Sequence, residues 1–223
     1  MSTSRFATMM AVGGDVILDE AALLVAAALR PELDEMEWLV ALDRLAGDCP
    51  TPTADGIARY LFSTLAFAGN ESSYYDWRNS CLDRVIATRV GIPITLSVLM
   101  IEVARRVGVP LVGVGMPAHF LVGVADDPDA FYDPFHGPQR LDRSTAAELF
   151  HKITGGGATW NEDFLAATSH RDIVIRMLNN LRAVFVRRSD VVRLGVVMNL
   201  RAEVPELAAT EHAEIIAATA PFN

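Results

Sequence analysis

The 223-residue chain has the composition of a globular protein: hydrophobic residues make up 51% and charged residues 21%, which excludes a disordered chain. Its formal net charge of −9 disfavours binding to nucleic-acid phosphates, because that binding needs clustered Lys and Arg. No stretch approaches the run of about 18 apolar residues of a membrane span, so we predict neither nucleic-acid nor membrane partners.

The cysteine count and the N-terminal sequence indicate the cellular compartment. Cys49 and Cys81 are too few for a disulfide framework in a chain of this length. The apolar run at residues 9–12 is cut short by glycine, so no secretory signal is predicted. We therefore predict free thiols and a cytoplasmic location.

The first third of the sequence predicts helices that carry no recognisable functional site. Two runs of helically spaced apolar residues are separated by a break at Pro31, and a third run continues through Phe67 to a stop at Gly69–Asn70. No residue pattern in residues 1–78 indicates a site. This region is predicted to be a helical N-terminal lobe.

Cys81 follows an aromatic-rich segment, residues 74–79. Ser80 and Asp83 have the spacing of a capping box, which predicts that Cys81 lies in the first turn of a helix. The helix dipole lowers the pKa of a thiol there, which would favour a nucleophile. The preferred interpretation is a small buried residue packed under the aromatic cluster, because a lone cysteine needs a neighbouring base.

The helix that begins at Pro93 and runs to Val107 is apolar almost all round, which predicts a buried helix. Thr95 and Ser97 are predicted in its first turn, beside backbone amides that are free to hold an oxyanion. Glu102 and Arg106 lie four residues apart and are predicted to pair at the exposed end of this helix.

Beyond this helix the sequence predicts a small antiparallel sheet. Residues 111–115 and 120–124 have the pattern of two strands, and a third short strand ends at Asp133. His119 therefore begins one strand and Asp133 ends the next. The fold class is predicted to be α+β, with the buried helix packed on the sheet.

Two ligand patterns in this region are weak. The letters of a dinucleotide-binding fingerprint occur at Gly113, Gly115 and Ala118, but the segment leads into a strand and not a helix, so no nucleotide or other cofactor is predicted. His119, Asp133 and His136 offer two imidazoles and a carboxylate, a donor set found in some metal sites. Their spacing matches no specific metal signature, so no metal is predicted.

The last part of the chain predicts further helices. Two of them, containing Asn180-Leu181 and Gly195, have the size of one tetratricopeptide-type unit, and a third begins at Pro205. A lone unit cannot bury its own apolar face. We therefore predict that residues 169–223 pack onto the preceding region.

In combination, these motifs resemble the transglutaminase-like proteins that share the N-terminal domain of the bacterial SirB regulator. The resemblance covers nearly the whole chain and is carried by Asn79-Ser80 with Leu82, Arg89 with Gly91–Ile94, Glu102–Arg105, Pro117 with His119–Leu121, Asp133–Gly137 and Asn180-Leu181. It implies a helical N-terminal lobe over 1–78, a transglutaminase-like (papain-like) core over 79–168 and a helical, tetratricopeptide-like end over 169–223.

The resemblance also implies roles for the candidate site residues. In catalytic members of the wider superfamily, a cysteine at the start of the core helix is the nucleophile, a histidine is its base and an aspartate orients the histidine. By that pattern His119 matches the base and Asp133 the orienting carboxylate. The nucleophile should fall near residues 93–95, where this sequence has no cysteine.

Two functions remain open. The favoured one is a non-catalytic binding or regulatory module that takes a peptide, protein or small-molecule ligand in the cleft of His119 and Asp133. The alternative is an acyltransferase or hydrolase with a relocated nucleophile, for which the candidates are Cys81, Thr95 and Ser97.

Overall fold

The computed structural model describes residues 4–13 and 16–211. It has the α+β architecture predicted from the sequence, with helices packed around a small antiparallel sheet. Among the described residues, no helix combines the length and apolar character needed to cross a membrane.

The N-terminal helices pack against the core through small and branched apolar residues. They are α1 (Arg5–Met9), α2 (Leu18–Leu29), α3 (Glu35–Gly47) and α4 (Ala54–Arg59), the last extended by a π-helical turn (Tyr60–Thr64). The predicted break at Pro31 separates α2 from α3. Asp34 caps α3 by accepting a hydrogen bond from the amide of Met36 at 3.0 Å.

The helix predicted to reach Gly69 ends earlier. Ala66 has a positive φ of 58°, which no helix accommodates, and Phe67 lies beyond the last helical turn. Ala68–Gly69 instead forms β1, which pairs in parallel with β2 (Val90–Gly91). Local apolar periodicity does not reveal a pairing with so distant a segment.

The core helix and the sheet follow. A 3₁₀ turn (Trp77–Ser80) and α5 (Leu82–Thr88) lead through β2 into α6 (Pro93–Arg106), which is buried from Pro93 to Ala104, as predicted. The sheet has the order β6-β5-β4-β3-β7 and is antiparallel throughout. Its strands are β3 (Leu111–Val114), β4 (Leu121–Val124), β5 (Asp127–Tyr132), β6 (Arg140–Leu141) and β7 (Ala167–Thr168).

Helices cover both faces of the sheet. On one face α6 packs against β3 and β4. On the other, α7 (Arg143–Ile153) and a 3₁₀ turn (Glu162–Leu165) close a smaller apolar cluster built around Phe131 and Phe150. The sheet is thus buried on both sides, which holds the loops at its edge in fixed positions.

The C-terminal helices α8 (His170–Arg188) and α9 (Val191–Ala202) pack against each other and against α2. A further helix begins at 205 and continues to the last described residue, 211, so the predicted segment beyond it lies outside the described residues. One cluster of buried residues extends from Phe6 to Leu207. The N-terminal, central and C-terminal regions therefore share a core, and the domain boundaries at 78 and 168 stay a prediction.

Gly113 in β3 allows α8 to lie close to the sheet. A Cβ atom at this position would lie 2.7 Å from Cδ1 of Ile173 and 2.9 Å from the ring of Phe120. Any side chain would require Ile173 or Phe120 to move. This close approach brings the middle of α8 next to the loop that carries His119.

Candidate functional site

His119 and Asp133 lie at the ends of neighbouring strands. His119 is in the loop between β3 and β4, directly after Ala118, whose φ is +61°, and Asp133 directly follows β5. The Nε2 atom of His119 lies 2.9 Å from Oδ2 of Asp133, although this contact does not have the geometry of a hydrogen bond. Their exposed fractions are 5% and 4%, so the pair is shielded from water.

A second histidine contacts the same carboxylate. The turn after β5 brings Nδ1 of His136 to 2.6 Å from Oδ2 of Asp133. The backbone of this turn also holds the Asp133 carboxylate, because the amide of Phe135 donates to Oδ1 at 3.0 Å. The side chain of His136 is 44% exposed, so one imidazole of this three-residue group is buried and the other faces solvent.

The two imidazoles keep Asp133 ionised. Burial alone would raise the pKa of this carboxyl, but attraction to the rings of His119 and His136 outweighs burial and lowers its pKa below the ordinary value. The carboxylate engages Nε2 of His119. Nδ1 is then the ring nitrogen left to meet a reacting group or a ligand.

Replacing Asp133 with Asn is expected to lower the free energy of unfolding most above pH 5. A carboxyl whose pKa is lowered in the folded state contributes stability above its unfolded pKa of about 3.9, and that stability is lost as the pH falls through the folded value. Chemical denaturation from pH 5 downward should therefore show the wild-type advantage shrinking. Asp126→Asn, at an exposed turn, is the matched control, and an advantage that grows on acidification would contradict this assignment.

Aromatic rings close the site on one side. The ring of Phe135 stands edge-on to His119, with centroids 6.1 Å apart, and Tyr74 packs on its other side at 5.9 Å. Gly69 of β1 makes room for it, since a Cβ atom there would lie 2.5 Å from the Phe135 ring. The unpredicted strand β1 thus helps to position the site.

A cavity of about 100 Å³ opens beside His119. Its lining residues are Tyr74, Pro93, Ile94, Ala118, His119, Phe120, Arg176 and Asn180. The N-terminus of α6 therefore faces His119, as expected for the start of a core helix. Ile92, at the N-cap, supplies no side-chain hydrogen bond, so the first-turn amides keep their donor capacity.

Cys81 is not among the residues that line this cavity. It occupies the N-cap position of α5, one residue before the predicted first turn, and is fully buried, with Sγ 3.8 Å from the carbonyl oxygen of Trp77. Burial, and then the nearby Asp83, raise the pKa of the thiol. This is the opposite of the lowering that a helix N-terminus produces, and it agrees with the packing interpretation.

Thr95 and Ser97 are also absent from the cavity lining and are fully buried. Because α6 begins at Pro93, Thr95 lies in its first turn, but Ser97 lies in the second, which corrects the predicted position. Neither hydroxyl has a hydrogen-bond partner among the described residues. No base therefore contacts either hydroxyl to activate it.

Three polar side chains at this cavity were not predicted as site residues: Tyr74, Arg176 and Asn180. The guanidinium of Arg176 donates from Nη2 to the carbonyl oxygens of Met116 at 2.7 Å and His119 at 2.6 Å. The available signal was the spacing of Arg176 and Asn180, which lie four residues apart and therefore on one face of α8.

The group His119, Asp133 and His136 also has the geometry to hold a metal ion. One ligand atom from each lies within 4.8 Å of the others. Asp133 and His136 also line a separate cavity of about 330 Å³, together with residues that include Gln139, Glu148 and Lys152. A ligand in that cavity can thus reach Asp133 and His136 as well.

Comparison with known proteins finds relatives of this chain. A "UPF0162 protein" of Xylella fastidiosa (strain Temecula1) is 44% identical over 133 residues, which are 58% of this chain and 47% of that protein. A "UPF0162 protein" of Vibrio cholerae is 27% identical over 76% of this chain and 67% of its own length. The chain spans about half the length of the Xylella relative.

A shorter similarity reaches a mammalian protein. "F-box only protein 21" of Mus musculus is 44% identical over 68 residues, which are 30% of this chain and 11% of that protein. No solved structure matches the chain. The family model described as "Transglutaminase-like superfamily" matches residues 18–179, well over half of the sequence. This protein therefore belongs to the transglutaminase-like superfamily.

Proposed function

We propose that this protein binds a ligand in the cleft of His119 and Asp133 and does not catalyse acyl transfer. In this proposal the superfamily nucleophile has been lost, while the histidine and aspartate persist as a polar anchor for a peptide, protein or small molecule. The observation that carries it is the lining of the His119 cavity, where the start of α6 contributes Pro93 and Ile94. Neither side chain can act as a nucleophile.

The state of the other candidates supports the same conclusion. Cys81 is buried with a raised pKa, and a thiol that stays protonated is a poor nucleophile. Among the described residues, no base contacts the hydroxyls of Thr95 and Ser97. Catalysis by any of the three would require α5 or α6 to rearrange.

The proposal extends to the family branch and the cellular context. The motifs quoted from the sequence favour the SirB-type branch, with a tetratricopeptide-like C-terminal end, and the two unpaired cysteines favour a cytoplasmic location.

The test combines turnover with ligand binding. We expect no hydrolysis or acyl transfer above background with acyl donors, amine acceptors and peptide libraries, and we expect His119→Ala to weaken the binding of selected library ligands about tenfold. His151→Ala, on the exposed face of α7, is the matched control. Turnover that disappears in His119→Ala would overturn the non-catalytic proposal.

Two further measurements separate the alternatives. Mass spectrometry after treatment with thiol- and hydroxyl-reactive probes should find no selective labelling of Cys81, Thr95 or Ser97. Every assay is run with a chelator and with added zinc, because the group His119, Asp133 and His136 can hold a metal. Stoichiometric metal together with metal-dependent turnover would favour a metal-dependent enzyme instead.

A further inference from the structure

A second cavity continues the one beside His119. It has a volume of about 300 Å³ and shares Tyr74 and Asn180 with the smaller cavity. Its remaining lining residues are Tyr75, Ser80, Ile92, Ala183, Val184 and Arg187. The two cavities together form a groove, here called the α8 groove, that begins at His119 and runs along α8.

The charge of the α8 groove is opposite to that of the whole chain. Although the net charge is −9, the charged side chains that line the groove beside His119 are Arg176 and Arg187. Arg176 is half-buried, no carboxylate among the described residues pairs with it, and Tyr74 lines the same cavity. A guanidinium withdrawn from water without an anion is a site prepared for one.

Some N–H donors of the Arg176 guanidinium bind the backbone, and the others are available to a ligand. Nη2 is used by the carbonyl oxygens of Met116 and His119. Gly115 leaves room for the other terminal nitrogen, because a Cβ atom there would lie 3.1 Å from Nη1. A guanidinium has five N–H donors, so donors remain for a ligand after these two bonds.

The larger of the two cavities in the α8 groove is mainly aromatic and apolar. The rings of Tyr74 and Tyr75 stand edge-on with centroids 5.3 Å apart, and Ile92 and Val184 complete an apolar wall. Arg187 lies over the Tyr75 ring at 4.2 Å, which fixes that ring and leaves the charge at the rim. An apolar group of a ligand fits this cavity, while its anionic end reaches Arg176.

We propose that the α8 groove binds a ligand with a carboxylate next to an apolar group, such as the C-terminal residue of a peptide. The carboxylate pairs with Arg176 and Asn180 beside His119, and the apolar group fills the Tyr74–Tyr75 cavity. A carboxylate fits better than a phosphate because the small cavity offers a single cation and about 100 Å³. This inference names the ligand class of the proposed function and rests on it.

The experiment compares acid and amide forms of one probe. Isothermal titration is run with an N-acetylated tripeptide ending in phenylalanine, with the same peptide as its C-terminal amide, and with free N-acetylphenylalanine. We expect the acid to bind at least about tenfold more tightly than the amide. The free amino-acid derivative separates a peptide C-terminus from a small free acid as the source of the carboxylate.

Variants separate recognition from folding. Arg176→Gln is expected to reduce the acid-to-amide ratio to about threefold or less, whereas Arg182→Gln, an exposed change of the same charge on the same helix, should leave it intact. If Arg176 only held the His119 loop, its replacement would weaken the acid and the amide equally. Arg187 makes no hydrogen bond to the backbone among the described residues. Arg187→Gln should therefore lower the affinity for the acid severalfold without lowering thermal stability.

Clear outcomes would overturn the inference. Equal affinities of wild type for acid and amide would do so, as would competition by inorganic phosphate that is stronger than competition by acetate. If neutral peptides bind in a His119-dependent manner, the proposed function stands and this inference fails. If turnover is found, the proposed function fails, and the acid-to-amide ratio is read from KM.

Discussion

Replacing Arg106 with Ala is expected to lower the free energy of unfolding by about 3–5 kcal/mol. Arg106 is 12% exposed and donates to Asp19 at 2.5 Å and to Glu102 at 2.9 Å. Both carboxylates are buried. Without Arg106 they would remain in the interior with a weaker partner, and an unpaired buried charge is the most destabilising outcome of breaking such a pair.

The pH dependence provides a check on this mechanism. Burial, and then repulsion by Asp19, already raise the pKa of Glu102. Since protonation neutralises an unpaired carboxylate, the destabilisation of Arg106→Ala should decrease as the pH falls toward 4.

Arg105→Ala is the matched control, because Arg105 contacts the same two carboxylates but is 51% exposed. Its replacement should lower the free energy of unfolding by only about 1 kcal/mol. Denaturant titration at pH 7 measures both variants. Equal losses would show that burial of Arg106 is not the cause.

Replacing Phe120 with Ala is expected to lower the free energy of unfolding by about 3–5 kcal/mol and to abolish ligand binding in the cleft. The Phe120 ring is almost fully buried, lies against the position of Gly113, and has the Arg176 guanidinium 5.4 Å from its centroid. A cavity there would loosen α8 and the loop of His119 together.

Phe131→Ala controls for this result. Phe131 is equally buried but belongs to the cluster on the other face of the sheet. Phe131→Ala should lower the free energy of unfolding by a similar amount, while the variant keeps its ligand affinity at temperatures where it is folded. Unchanged affinity in Phe120→Ala would show that the ring has no part in holding the site.

The Glu102–Arg106 pair shows what residue spacing in the sequence can predict and what it cannot. Four-residue spacing predicts the pair, and it is present. The prediction placed it at an exposed helix end, whereas Glu102 is fully buried. The difference arises because α2 and α3 cover that end of α6, bringing Asp19 and Asp43 to the same arginine.

The candidate site likewise has features that the sequence predicted and features that it did not. The positions of His119 and Asp133 at strand ends follow from local strand patterns, and their contact was implied by the family resemblance. The sharing of Asp133 with His136 depends on the turn that the backbone makes after β5. The strand β1 that accommodates Phe135 depends on a pairing between segments 22 residues apart, Ala68 with Val90, which no local pattern carries.

The sequence by itself determined the fold class, the buried core helix, and the positions of a histidine and an aspartate at the ends of successive strands. These properties rest on local periodicity, helix breaks and motif spacing, which act within one segment. Only the tertiary structure decided that Cys81, Thr95 and Ser97 lie outside the His119 cavity, and that Arg176 and Asn180 line it. Burial and the approach of α8 set these positions, and both depend on how distant segments pack.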